Sequence, residues 1–533
     1  MPRKERYWSK RAPQSSGPWD AIVIGSGMGG MTTAAMLAKM GKKVLVLEQH
    51  YVPGGFTHSF RRKGYVWDVG VHAVGEVTRH SMPGRLLHHL TDGRLQWASL
   101  GPVYDDFEFP DGVHIGFPDS PDKFRAALLQ AFPDEQPAID AYLAAVREVS
   151  AAMKGYYFSR ALPKWMLPAR WLMSSKAERY LSLSAQDEIA KLTDNPRLRT
   201  VFAAQWGYYG APPSRASWAM QALVVKHFMH GGYYPVGGSE RIAVELLRTV
   251  SEAGGWTRIC ADVAQILVQG GRAVGVRMAD GEEIHARQVF SAAGIRATTT
   301  RLLPPELRTQ PWSQEVQRLK PASAHVCLYI GFKGDIRAAG AGSANRWFWS
   351  TWDTEHTVWD ISDPDNLPPA PILYCSFPSL KDPEHEEGAD LRHTGEAVTF
   401  VPWEAFEHWS GTPWRKRGAA YDALKQKLQA GLLAQFQHKM PALAPFIDHV
   451  ELSTPLSSEF FVRPVQGSIY GLEPTPERFA AQSLRPQSPV KDLYFSGSEV
   501  AAVGVIGAMM GGVLGAVAAE PRKAMGLIRS IGG

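Results

Sequence analysis

The sequence predicts an α/β protein built on a doubly wound, Rossmann-like parallel sheet whose pieces are scattered along the chain, with an α+β domain inserted between them. Three observations predict it. Residues 20–48 spell a complete strand-helix-strand unit around Gly25-Ser26-Gly27-Met28-Gly29-Gly30. A second helix-and-strand rhythm restarts at Gly237 and ends on Ala292-Ala293-Gly294, and a last short strand at Leu493 runs into a segment of small residues. Long stretches without that rhythm separate the three.

In the first unit, the apolar run Ala21 to Ile24 reads as a buried parallel strand that stops at the G-x-G-x-x-G pattern. Gly25 permits the tight turn, Gly27 lets the backbone approach a pyrophosphate, and Gly30 lets the following helix pack closely on the sheet. That helix, Met31 to Met40, ends at Gly41 and aims its free N–H groups and partial positive charge at the phosphates. Strand Lys43 to Leu47 delivers Glu48 about twenty residues past the glycines, where a carboxylate accepts from a ribose 2′-hydroxyl, so a cofactor without a 2′-phosphate is favoured. A nicotinamide dehydrogenase would turn at once into another helix. This chain instead enters Gly54-Gly55 and then Asp68-x-Gly70-x-His72. The glycine pair offers a second close backbone approach to a large ligand, with an ordinary turn as the alternative.

From about His72 to His230 the rhythm is lost and aromatics, prolines and amphipathic stretches take over. It resumes with helix Ser239 to Ala253, capped by Gly254-Gly255, and strand Val263 to Val268. A Gly270-Gly271 turn, strand Ala273 to Met278, an Asp280-Gly281 turn and strand Glu283 to His285 read as a meander, followed by a separate strand Gln288 to Ser291. The small residues through Gly294 suit a cofactor lying across the end of the sheet. The chain leaves again from Ile295 to Val490, with a Pro- and acid-rich loop from Asp363 to Glu387. The expected domains are a discontinuous cofactor domain of residues 17–71, 237–294 and 490–533, a substrate and membrane-contact domain of 72–236 and 295–489, and a basic tail, 1–16.

With 533 residues the chain can bury a sizeable core, and a net charge of +5 without a long Lys/Arg run suggests no nucleic-acid partner. Cys260, Cys327 and Cys375 are far apart, which argues against a disulfide framework or a redox dithiol. His227 and His230 share a helix face and His88-His89 are adjacent, but no Cys or carboxylate nearby completes a first shell, so no metal is expected. The basic N-terminus lacks the apolar core of a secretory signal peptide, and a cytoplasmic location with peripheral membrane contact is expected. The charge-free run Val500 to Ala519 is long enough to span a bilayer, but its many small residues read better as burial beside a cofactor.

Residues 47–75, LEQHYVPGGFTHSFRRKGYVWDVGVHAVG, resemble the N-terminal flavin-binding signature of the phytoene desaturase and carotenoid isomerase superfamily, and most of all its retinol saturase branch. The resemblance continues through Tyr234-Pro235-Val236-Gly237-Gly238-Ser239, Val401-Pro402-Trp403-Glu404 and Gly467-Ser468-Ile469-Tyr470-Gly471-Leu472. It closes on Leu493 to Glu499 and Gly504 to Ala508, and so covers nearly the whole chain. Where retinol saturases tend to carry cysteines after the Gly-Gly pair this chain has Phe56-Thr57, and where they carry an amide-acid pair it has Ser498-Glu499. The resemblance implies a glutathione-reductase-type, discontinuous FAD-binding domain. An N-terminal ADP-binding unit together with a distant glycine loop also suits an elongated two-headed ligand, here FAD held without a covalent bond. The expected cofactor contacts are Gly25, Gly27, Met28, Gly29, Gly30, Glu48, Gln49, Gly54, Gly55, Gly70, Val263, Gly294, Gly497, Glu499, Gly504, Val505 and Gly507. Glu499 is expected to accept from a ribityl hydroxyl, and Gly504, Val505 and Gly507 to direct N–H groups at the flavin pyrimidine edge.

The implied activity is that of an FAD-dependent oxidoreductase on a C=C bond of an apolar polyene or isoprenoid such as a retinoid or carotenoid, with NAD(P) a candidate external electron partner. The alternatives are a carotenoid isomerase or phytoene-type desaturase, an amine-oxidase-like flavoenzyme, and a lipid carrier without turnover. Proton donors are sought among His72, Glu76 and Tyr470. His72 is preferred because its spacing puts the ring on the same side of an extended strand as Asp68, with a structural histidine as the alternative. Phe228, Tyr233, Tyr234 and Phe461 are expected to flank the flavin. The segment Tyr156 to Met173 interleaves aromatics with basic residues as an interfacial patch would, with a solvated domain wall as the alternative.

Overall fold

The computed structural model describes residues 7–12, 17–161 and 167–532. Strand Trp19–Ile24 lies at the centre of the first sheet because both its faces are apolar. Ala21 and Val23 pack into one core cluster with helices Met28–Lys39, Glu240–Glu252 and Gly504–Ala519, while Ile22 and Ile24 pack into a second on the opposite face. This is the two-sided burial of a doubly wound sheet. Its parallel order runs Trp8–Ser9, Trp256–Arg258, Val44–Leu47, Trp19–Ile24, Glu283–Ser291, Leu493–Phe495. Trp8–Ser9 lies within the stretch read as a tail, yet it adds an edge strand, and Trp256 Nε1 donates to Ser9 Oγ at 3.1 Å.

The two strands expected at Glu283 to His285 and Gln288 to Ser291 are one strand of nine residues. Nothing between them breaks the backbone, so one continuous strand serves two partners. Its first half continues the antiparallel pair Val263–Gln269 and Arg272–Met278, and its second half enters the parallel sheet. The penultimate helix, Gly504–Ala519, lies on Met28–Lys39 with almost no gap. A Cβ on Gly512 would sit 2.4 Å from the Gly29 carbonyl oxygen, and one on Gly511 would sit 1.9 Å from that of Gly497. The small residues of this run therefore serve close contacts with the first helix and with the loop at Gly497. Among the described residues no helix is long and apolar enough to cross a membrane.

The second sheet has the order Ile447–Ser453, Ala324–Lys333, Arg392–Val401, Ile372–Ser376, Asn345–Trp349, Val103–Glu108, His114–Pro118. Helix Ala419–Lys439 closes one face, and helices Pro121–Ala131, Gln136–Ala161, Leu167–Leu181 and Trp218–Phe228 roof the other. The loop expected from Asp363 to Glu387 is partly structured. Ile372–Ser376 is an apolar strand buried at every position, and the short helix Pro378–Lys381 carries the buried Lys381. Proline and acid content flanks these elements and masks them in the composition.

Candidate active site

A narrow cleft of about 260 Å³ crosses the carboxyl ends of the parallel strands. Of the expected cofactor contacts, all but Gly30, Gly54 and Gly507 line it. Gly30 lies beneath the loop, where a Cβ would be 2.1 Å from the Gly25 carbonyl oxygen, which is the close helix-to-strand packing expected of it. Gly54 supports the loop through its N–H, which donates to Ser26 Oγ at 3.0 Å. Gly507 lines a second, larger cavity. Gly27 is different in kind. Its backbone is ordinary extended chain, φ −64° and ψ 171°, and no protein atom lies within 4 Å of where its Cβ would be. Nothing in the fold requires glycine there, so the missing side chain leaves room for a bound group.

Glu48 is buried and its carboxylate bonds to the protein itself. Its Oε2 accepts from Ser26 N at 3.0 Å and Ser26 Oγ at 2.6 Å, and its Oε1 accepts from His50 N at 2.8 Å. With Gly54 N–H bonded to the same serine hydroxyl, one carboxylate ties together the glycine loop, the end of strand Val44–Leu47 and the second glycine turn. At the other end of the cleft Glu499 Oε2 accepts from Ile295 N at 2.5 Å and Arg296 N at 3.0 Å. Its Oε1 lies about where a Cβ on Gly294 or Gly471 would be in contact, at 3.2 and 3.3 Å. Burial raises the carboxyl's pKa against the pull of those two N–H groups and Arg478. Gln49 Nε2 donates to the Phe461 carbonyl.

The larger cavity, about 1540 Å³, meets the cleft at Gly70, Tyr470, Gly504 and Val505, which line both. It exceeds the roughly 300–1,000 Å³ of an ordinary small-molecule pocket. Phe228 and Tyr233 line it and Phe461 lines the cleft, whereas Tyr234 lines neither. Tyr234 is drawn away because its buried hydroxyl donates to Asp68.

All three proton-donor candidates lie on the cavity wall. The Tyr470 hydroxyl donates to the Gly207 carbonyl at 3.1 Å, and burial raises its pKa. Glu76 pairs with Lys226 Nζ and lies 3.4 Å from His227 Nδ1. His72 Nδ1 is 2.8 Å from Glu396 Oε2, and its side chain keeps 14% exposure toward the cavity. Strand Tyr65–Asp68 ends before His72, so Asp68 and His72 do not share a strand face. They converge on Glu396, to which Asp68 gives its backbone N–H at 2.9 Å. The Asp68 carboxylate turns instead to the hydroxyls of Tyr234 and Ser239.

Lys381 completes a buried cluster by donating to the His72 carbonyl at 2.7 Å, to Ser376 Oγ at 2.6 Å and to Asn345 Oδ1. Asn345 and Tyr208 in turn donate to Asp105 at 2.8 and 2.7 Å. Burial governs every titration here. It depresses His72 to about 3, with the Lys381 charge adding to the effect, and lowers Lys381 to about 7. It raises Glu396 to about 8 and Asp68 to about 7, the latter helped by the Glu396 charge.

Residues 28–519 match the family described as flavin containing amine oxidoreductase. The chain belongs to that family. This flavoenzyme is 31% identical to the all-trans-retinol 13,14-reductase of Danio rerio, over 95% of its own length and 86% of that protein. It is 26% identical to the prolycopene isomerase of Arabidopsis thaliana, over 92% and 82% of the two chains. Among solved structures, an oxidoreductase from Methanosarcina mazei superposes with a TM-score of 0.59 at 16% identity, covering 92% of this chain and 98% of that one, which is a likeness of fold.

An FAD-dependent oxidoreductase of this family needs room for a dinucleotide, and the open space at Gly27 fits that group. Glu396, Lys381, Asp105 and Asn345 were not found by sequence reading. The available signal was a glutamate at the centre of an otherwise uncharged run, Thr394-Gly395-Glu396-Ala397-Val398, inside a strand buried on both faces. A carboxylate so placed must be paired or protonated.

Proposed function

We propose that this flavoenzyme reduces a C=C bond of an apolar polyene or isoprenoid. FAD would be held without a covalent bond, with its adenosine end at Glu48, its pyrophosphate over Gly27 and its ring system at Gly70, Gly504 and Val505. Bound there, the reduced flavin supplies a hydride equivalent. The observation that carries the reading is the junction itself: a cavity far larger than a small amine needs opens onto the end of the cleft where the flavin ring would lie. The substrate-facing work falls to the chain. Val224, Phe228, Met510 and Leu514 line the cavity with apolar surface, which excludes water and holds an extended hydrocarbon. His72 supplies the proton, because Tyr470 has its proton committed and raised in pKa and Glu76 is tied to Lys226. The names of the relatives favour a retinoid or carotenoid substrate.

The polyene would be drawn from a membrane surface. Helix Gln136–Ala161 forms one cavity wall through Leu143, Val146 and Met153, and its neighbour Leu167–Leu181 carries Trp171 at 66% and Leu172 at 75% exposure. Tyr156 and Arg160, from the same segment, turn inward and bond to each other at 2.7 Å, so the outward part of this patch is shorter than its sequence suggested. Trp165 and Met166 lie outside the described residues.

The test is anaerobic incubation of the reduced holoenzyme with all-trans-retinol or a carotene, followed by mass spectrometry. Reduction adds two hydrogens. An unchanged mass with a new retention time would mean isomerisation, and loss of two hydrogens under oxidising conditions would mean desaturation.

A further inference from the structure

We propose that Glu396 is the proton reservoir of this enzyme and His72 its conduit. Glu396 holds an acid proton on Oε2 and shares it with His72 Nδ1, so that a proton leaving Nε2 for the substrate is replaced from behind by the one from Glu396. The inference rests on the reading of the cavity as the site of C=C reduction.

The geometry begins with two buried atoms that have only each other. Among the described residues neither His72 Nδ1 nor Glu396 Oε2 has a hydrogen-bond partner, and the two are 2.8 Å apart, within reach of each other though not aligned as a hydrogen bond. At that distance between two buried atoms, two bare lone pairs would repel, so one of the two carries a proton. Either the glutamate is a carboxylate facing an Nδ1–H, or it is an acid donating to a bare Nδ1. In the second arrangement the imidazole is neutral and carries its hydrogen on Nε2, on the side of the ring away from Glu396, while the ring lines the cavity.

The surroundings choose the acid. The titratable groups facing the pair are Asp68, Tyr234, His325, Cys327, Tyr329, Tyr374 and Lys381. Lys381 is the single cation among them, and its three N–H bonds go to the His72 carbonyl, Ser376 and Asn345, so it donates nothing to Glu396. Its charge is shared among Glu396, Asp105 and Asp68, and with the Asp68 N–H it only partly offsets the burial that raises the Glu396 carboxyl. A third ionised carboxylate would lie in the same desolvated pocket, where like charges strongly oppose one another. Burial presses both partners the same way, holding the imidazole neutral and the glutamate protonated at neutral pH.

The step balances without an imidazolium. Addition to one alkene carbon of a hydride equivalent, which bound reduced FAD would supply, leaves an electron pair on its neighbour. That pair takes the hydrogen from Nε2 as a proton, and the electrons of the N–H bond stay on the ring. The Glu396 O–H proton moves to Nδ1, which leaves a carboxylate that regains one proton from solvent before the next turnover. His72 changes tautomer and never bears a charge, as expected of a ring whose cationic form burial penalises. Asp68 N–H on Oε1 holds the carboxyl in the orientation that keeps Oε2 on the ring, so Asp68 is a positioning residue here.

Two measurements test this on the holoenzyme. In infrared difference spectroscopy of the oxidised, substrate-free protein, the carbonyl stretch of a protonated carboxyl should be present at neutral pH. It should fade as pH rises through about 8, and the Glu396→Gln minus wild-type difference should contain it. The amide introduced by Glu396→Gln can still donate to Nδ1 and accept from Asp68 N–H, so a merely structural role is preserved while proton release is lost. In steady state Glu396→Gln should lower kcat by ~10²–10⁴, the usual share of a positioned acid, with KM and the rate of flavin photoreduction unchanged. A wild-type spectrum without that band, or a band untouched by the substitution, overturns the relay. So does a Glu396→Gln enzyme that reduces the polyene as fast as wild type, and in that case the proposed reaction stands while the relay falls. If wild type reduces no polyene, the proposed reaction fails, and the infrared result alone decides whether Glu396 stores a proton. Should Glu396→Gln not fold, Glu396→Asp takes its place in the infrared measurement: it should shift the band, and a band that does not move belongs to Asp68 or another buried carboxyl and overturns the relay.

Discussion

The cleft and the cavity meet at four residues and are made of opposite materials. The cleft is a site of backbone and absent side chains: Gly25, Gly27, Gly294, Gly497 and Gly504 line it and leave space, and two of its carboxylates, Glu48 and Glu499, are spent largely on the protein's own N–H groups. Beside the cavity the chemistry is in side chains, with Asp68, His72, Lys381 and Glu396 packed together in an apolar setting that shifts each one's titration toward its neutral form. A backbone site binds by shape and needs little titration. A buried side-chain cluster is costly to assemble and gains from that cost a proton that can be moved.

The sharpest way to break the contrast is within the cleft, where glycines do two jobs. Gly30→Ala forces a methyl group to 2.1 Å from the Gly25 carbonyl oxygen, a backbone atom that cannot yield cheaply. Overpacking of that kind costs ~1–3 kcal/mol or more, so both the melting temperature and the flavin content of the purified protein should fall. Gly27→Ala meets no protein atom and keeps an ordinary φ. Its apoprotein should melt within about 0.5 kcal/mol of wild type, as a surface substitution does, while FAD affinity falls at least tenfold. If Gly27→Ala retains full flavin, the space at that position is not where the cofactor lies.

Glu48→Gln gives the next largest effect and tests whether the cleft's acids belong to the ligand or to the fold. Because both carboxylate oxygens already accept N–H groups, an amide there must set its own N–H₂ against one of them. An unsatisfied buried donor costs ~1–3 kcal/mol, and the loss should appear in the apoprotein as well as in FAD binding. Thermal melts of apoprotein and holoprotein separate the two. Weakened binding with an unchanged apoprotein would mean that the carboxylate serves the ribose alone.

How much of this could be read in advance follows the same division. Backbone sites leave fixed spacings in sequence: Gly25 to Gly30 and then Glu48 are local to one strand-helix-strand unit, and Gly294 and Gly497 each end a strand. The cluster leaves none, because Asp68, Tyr234, Lys381 and Glu396 come from four elements and meet only when the second sheet forms. His72 was found for a reason the structure changes, since it meets Asp68 around Glu396 and not along a strand. Lys381 was hidden by the composition around it, which reads as loop although Ile372–Ser376 is wholly buried.

The smallest expected effect concerns the rim of the cavity. Trp171 and Leu172 are exposed at the start of a helix that packs on the cavity wall, with Lys154 and Arg147 exposed on the neighbouring helix. That arrangement suits rings at the headgroup level and cations against an anionic leaflet. Each buried CH₂ is worth ~0.8 kcal/mol, so a polyene passing through water would lose most of its affinity for the site, and direct transfer from a bilayer avoids that cost. Replacing Trp171 and Leu172 by Ser removes only exposed surface and should leave melting temperature and flavin content unchanged. Co-sedimentation with vesicles containing phosphatidylserine should fall several-fold, and so should turnover of polyene delivered in those vesicles. Turnover of a short detergent-dispersed analogue should persist, because neither residue lines the cavity. If vesicle binding is unchanged, or if both turnovers fall together, these side chains belong to the fold of the helix pair and the substrate reaches the cavity by another face.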